Sequence, residues 1–162
     1  MNKPIQELED LTREAVREVF ESMASVQVSP DDSKLEADGT GEIVGSVGFI
    51  GEKTNGVIYL YAGVCFIRSV TGKMLGIPEH EVDSDEMVND AFGELTNMVA
   101  GYVKTRLANK NGGACALTIP SIVRGQRLTV EGSADVTRKI MGFRNGEHHF
   151  MAELLLKSPD KK

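Results

Sequence analysis

From about Ser84 to about Asn109 apolar residues recur at intervals of three and four, which predicts one long amphipathic helix. At about 100° per residue, Val88, Ala91, Phe92, Leu95, Val99, Tyr102 and Val103 share one face. Glu86, Asp90, Gly93, Glu94, Asn97, Gly101 and Lys104 fall on the other. Asp83 or Ser84 supplies a cap and Asp85 and Glu86 suit the positive end of the helix dipole. Lys104, Arg106 and Lys110 suit the negative end, before Asn111, Gly112 and Gly113 stop the helix. Such a helix must bury its apolar stripe against other elements.

The rest of the chain supplies them. Pro4 opens a second stripe through Ile5, Leu8, Leu11, Ala15, Val16, Val19, Phe20 and Met23, again helical. After the polar, turn-rich stretch Ser29 to Gly41, the runs Glu42 to Ile50 and Thr54 to Ala62 read as a hairpin. A short helix over Val64 to Leu75 ends at Gly76 and Pro78. Beyond the long helix come Ala114 to Ile119, Ile122 to Glu131 and Ala134 to Arg144, then an Asn145-Gly146 turn into Glu147 to Lys157. The tail Ser158 to Lys162 is expected to fray. The predicted fold is α+β, in the order α-β-β-α-α-β-β-β-β, with a largely antiparallel sheet covered on one side by the helices. Helix followed by strands occurs twice, which points to two related halves. A length of 162 residues suits one domain, 1–162, with its core over about 5–156.

Composition narrows the function classes. A net charge of -6, no Trp and 6% aromatic residues argue against a nucleic-acid surface. No window approaches the roughly 20 apolar residues of a membrane span, and the first residues lack a signal-peptide pattern, so a cytoplasmic location is expected. Cys65 and Cys115 form no CxxC pair and both have apolar neighbours, predicting buried free thiols. His148 and His149 are adjacent in a strand and face opposite ways, and His80 is distant, so no metal site is expected. Gly39-Thr40-Gly41, Gly72-Lys73 and Gly45-Ser46-Val47-Gly48 complete neither a nucleotide loop nor a nucleophile elbow.

Glu94 and Asn97 stand one helical turn apart, so both side chains can reach one target. Spacing alone favours a solvated polar face, and more so for Asp90 with Glu94 as paired carboxylates. The mid-helix glycines Gly93 and Gly101 each cost about 1 kcal/mol against alanine, which predicts a close approach by a partner or a sheet.

The string Asn89-Asp90-Ala91-Phe92-Gly93-Glu94-Leu95-Thr96-Asn97-Met98-Val99-Ala100-Gly101 resembles the signature helix of the CheC/CheX/FliY phosphatase family, CheX-like members above all. Val57 to Ala62, Lys73-Met74-Leu75-Gly76 and Ile119-Pro120-Ser121-Ile122-Val123-Arg124-Gly125 look like landmarks of the same family, extending the similarity over about 5–156. The resemblance implies hydrolysis of the aspartyl phosphate of a CheY-like response regulator, with Glu94 and Asn97 catalytic. In such chemistry a carboxamide orients the attacking water, the role implied for Asn97, while Glu94 pairs with the regulator's lysine. Asp90, Gly93, Gly101 and Lys104 would dock the partner. No cofactor is expected on this chain, and Mg2+ is expected in the regulator. Thr96 departs from the small alanine or glycine familiar at its position. The first helix offers only Glu18-x-x-Glu21 and Glu21-x-x-Ala24, so one active pair is implied, together with a homodimer joined through its sheets. The alternative is a non-catalytic adaptor using the same helix to bind a receiver or to self-associate.

Overall fold

The computed structural model describes residues 3–35, 41–111 and 114–157. Gly112, Gly113, the tail Ser158 to Lys162 and most of the Gly39-Thr40-Gly41 segment lie outside the described residues. Three helices, α1 (Lys3–Ala24), α2 (Val64–Leu75) and α3 (Asp85–Asn111), accompany seven strands. These are β1 (Ser29–Pro30), β2 (Ile43–Gly51), β3 (Asn55–Ala62), β4 (Cys115–Leu117), β5 (Ser121–Arg124), β6 (Val136–Asn145) and β7 (His148–Lys157). They form one antiparallel sheet in the order β1-β6-β7-β3-β2-β4, with β5 also paired to β2.

Period-two alternation sends Ile43, Val47 and Phe49, then Ile58, Leu60 and Ala62, then Met141 and Phe143, then Phe150, Ala152, Leu154 and Leu156 to the helix side. There they meet the stripes of α1, α2 and α3 in one hydrophobic cluster. Phe150 stacks near Phe20 (4.9 Å between centroids), Phe66 (5.2 Å) and Phe143 (5.3 Å), fastening α1 and α2 to β6 and β7. Glu42 accepts a bond from the Val64 N–H at the start of α2. Gly76 closes it in the left-handed region, φ 68, which favours glycine.

The two halves are visible in the pairing. The hairpins β2-β3 and β6-β7 meet at β3 and β7, while β1 crosses to β6 and β4 and β5 cross to β2. The buried positions Leu8, Leu11, Thr12, Ala15, Val16 and Val19 of α1 repeat at the same spacing as Phe92, Leu95, Thr96, Val99, Ala100 and Val103 of α3. Each buried threonine returns its hydroxyl to the carbonyl one turn earlier, Thr12 to Leu8 and Thr96 to Phe92, both at 2.7 Å.

Several expectations need correction. The strand expected over Ile122 to Glu131 stops at Arg124, because Arg124 pairs with Ile43, the first residue of β2, and Arg127 beyond it takes a positive φ of 52. Leu128 instead donates its N–H to Gly41. The run from Ala114 to Ile119 pairs only over Cys115–Leu117, and the two-residue β1 is an addition. Cys65 is exposed, since α2 turns Phe66, Ile67 and Val70 inward; Cys115 is half-buried, and both are free thiols. On the sheet's outer face Glu153 is buried and accepts from Arg138 at 3.0 Å. Among the described residues the nearby Tyr61 hydroxyl has no partner of good geometry, and burial raises its pKa.

Candidate functional site on α3

The long helix is positioned from three sides. At its start Ser84 Oγ accepts from the Met87 N–H (3.2 Å), so of the two candidate caps it is Ser84 that caps. Arg124 of β5 donates to Asn89 Oδ1 (2.6 Å) and pairs with Asp85 (3.3 Å), clamping the first turns to the sheet. On the far side the Tyr102 hydroxyl donates to Glu14 of α1 at 2.7 Å, and Arg106 lies over the Tyr102 ring. That bond and then burial raise the Tyr102 pKa.

Between these anchors Thr96 is fully buried over β2. A Cβ on Gly45 would come within 2.2 Å of Thr96 Oγ1, so glycine at 45 is what lets the helix settle that close with a threonine in place. The departure at Thr96 therefore has a structural counterpart in the sheet.

Glu94 is exposed and Asn97 half-buried, one turn apart and pointing away from β2. Among the described residues neither makes an ion pair or side-chain hydrogen bond with the rest of the chain. Asp90 is exposed on the same side, and Lys104 is half-buried two turns further on. Gly93 is not on the open face: it is buried, with Pro120 Cβ 3.8 Å from where its own Cβ would be. The link between β4 and β5 covers that flank, which a helical wheel cannot foresee. Around Gly101 nothing among the described residues lies within 4 Å of such a Cβ, so they supply no close approach there. Asn89 and Arg124 are the anchoring contacts that spacing alone did not single out. Among the described residues no three His, Cys, Asp or Glu side chains are grouped to hold a metal ion, and no helix is long and apolar enough to cross a membrane.

The α1 equivalents are now identifiable. Aligning the buried threonines puts Asp10 where α3 has Glu94 and Arg13 where it has Asn97, rather than Glu18 or Glu21. Arg13 is engaged with Asp32 (3.0 Å) and Glu9 (3.2 Å).

A seven-stranded antiparallel sheet layered by three helices, with a free polar pair on the longest, is the CheX/CheC-like α+β fold. The chain belongs to the family described as chemotaxis phosphatase CheX, whose model matches residues 43–144. Among solved structures it is similar to the chemotaxis protein CheX from Vibrio vulnificus (26% identity, 93% of this chain and 97% of that one, TM-score 0.80). It is also similar to a CheC-like superfamily protein from Shewanella sp. PV-4 (28% identity, 98% and 100%, TM-score 0.80). The CheX-CheY-BeF3-Mg2+ complex from Borrelia burgdorferi shares the fold at 18% identity over 92% and 97%, TM-score 0.72. No curated protein matches the chain.

Proposed function

We propose that this chain hydrolyses the aspartyl phosphate of a CheY-like receiver domain by inserting Asn97 and Glu94 together into the receiver's phosphorylation site. The observation that carries the reading is the pair itself: adjacent, outward, and unengaged on a helix fixed at both ends, in a CheX-family chain. The existence of a CheX-CheY complex with the phosphoryl mimic BeF3 and Mg2+ supports the choice of partner.

In this reading the Asn97 carboxamide, a donor and an acceptor at once, holds the attacking water in line with phosphorus. Glu94 accepts from the receiver's lysine and fixes the register in which Asn97 enters. The Mg2+ that neutralises the phosphoryl oxygens belongs to the receiver. What this chain contributes is orientation, and a pre-positioned side chain contributes it without reorganisation at the moment of reaction. Asp90 and Lys104 border the contact, and the bare face of Gly101 leaves room for the receiver's backbone. A cytoplasmic location, where such receivers work, and homodimerisation through the sheets are parts of the same proposal.

The test is the lifetime of phosphorylated receiver in the presence of the chain. Asn97→Ala is expected to slow clearance at least about tenfold, since water orientation is most of what the site supplies. Clearance at the unaltered rate would sink the assignment, and receiver binding without any clearance by the native chain would favour an adaptor.

A further inference from the structure

We propose that Ile119 and Pro120, in the link between β4 and β5, form an apolar ridge beside Glu94 and Asn97 that the phosphorylated receiver covers on docking. The inference rests on the function proposed above and adds the contact that sets affinity.

Ile119 is 87% exposed, more than Ile50, Leu75 or Val123, the other large apolar side chains on the surface. It is nonetheless held in place. The Thr118 N–H donates to Gly48 O (2.9 Å) and the Gly48 N–H returns a bond to Thr118 Oγ1 (2.8 Å), pinning the link to β2. Pro120 restricts the residue before it to extended backbone, and its Cβ lies 3.8 Å from where a Cβ on Gly93 of α3 would be. The ridge thus abuts the turn that carries Glu94. An apolar side chain on a backbone already pinned to the sheet costs less ordering when covered than one on a free loop.

Charge selects the occupant. Glu86, Asp90 and Glu94 line the outward side of α3 and, among the described residues, form no ion pairs. A second copy docking about a two-fold axis at the Glu94 turn, near Asp90, would set Glu86 against Glu94 and Asp90 against itself. A receiver bringing a lysine to Glu94 and an aliphatic surface beside it satisfies both features.

The experiment compares Ile119→Ser and Asn97→Ala in steady-state clearance of phosphorylated receiver and in binding to beryllofluoride-activated receiver. Ile119→Ser is expected to raise KM and Kd about tenfold with kcat within about twofold, and to leave the thermal midpoint unchanged because the side chain is exposed. Asn97→Ala is expected to do the reverse, lowering kcat while keeping Kd. Unchanged KM and Kd in Ile119→Ser overturn the ridge, as does a change confined to the chain's own oligomeric state in sedimentation. If Asn97→Ala clears phosphate normally while Ile119→Ser still loses affinity, the catalytic reading fails and the ridge stands.

Discussion

The helices α1 and α3 occupy corresponding places in the two halves of the sheet and bury the same spacing of side chains, yet their polar faces are opposites. In α1, Arg13 pairs with Asp32 in the segment after β1 and with Glu9 of its own helix and is only 20% exposed, while Asp10 is exposed and accepts from Gln6. In α3 the matching Glu94 and Asn97 make no ion pair or side-chain hydrogen bond among the described residues. One scaffold therefore carries an engaged side chain, Arg13, on one helix and an unengaged one, Asn97, at the corresponding place on the other. What separates them is the partner that the local sequence supplies, since the buried threonine and its bond recur in both.

The comparison breaks most severely if α3 cannot reach its place. Gly45→Ala drives a Cβ into Thr96, and we expect a loss of about 1–3 kcal/mol in denaturant unfolding. Adding Thr96→Ala should recover part of it, and a loss that is unaltered by the second change would show that the contact is not the cause.

A smaller effect is expected where the two helices are tied together. Tyr102→Phe removes the bond to Glu14 and should cost about 0.5–1.5 kcal/mol by the same measurement. Glu14→Gln should bring the Tyr102 ionisation back toward its ordinary value in a spectrophotometric titration, because that carboxylate is the first cause of the upward shift.

The smallest effect concerns the Arg13–Asp32 pair that holds α1 to the segment after β1. Burial opposes ionisation of Asp32, but the Gly142 N–H and then Arg13 outweigh it, so the folded-state pKa lies below the unfolded one. Its contribution is therefore present above about pH 4 and lost as pH falls through the depressed folded value. Since the carboxylate is 53% exposed, solvent screening keeps it below about 1 kcal/mol. Asp32→Asn should flatten the acid limb of the stability profile by that small amount; an unchanged limb would place the stabilisation elsewhere.

Much of this was legible in the residues, for identifiable reasons. The period of α3 gave its core stripe, because Val88, Phe92, Leu95 and Val99 are apolar and evenly spaced. Thr96 escaped it: a hydroxyl that bonds its own helix behaves as an apolar volume, which hydropathy does not register. Gly93 was misplaced because its burial depends on Pro120, a contact between segments distant in sequence. Leu128 and Val130 read as strand by composition, but they lie past the edge of β2, beside Gly41 and Tyr61, without strand pairing. The pair on α3 is legible in its motif, whereas its counterpart at Asp10 and Arg13 is defined by the correspondence of buried Thr12 with Thr96, which no motif marks.

The contrast between the two faces is tested most directly by measuring the lifetime of phosphorylated receiver with the native chain, with Asn97→Ala and with Arg13→Ala, side by side. The account predicts that Asn97→Ala loses at least about tenfold in clearance while Arg13→Ala keeps it. Equal losses in both, or a loss in Arg13→Ala alone, would contradict it.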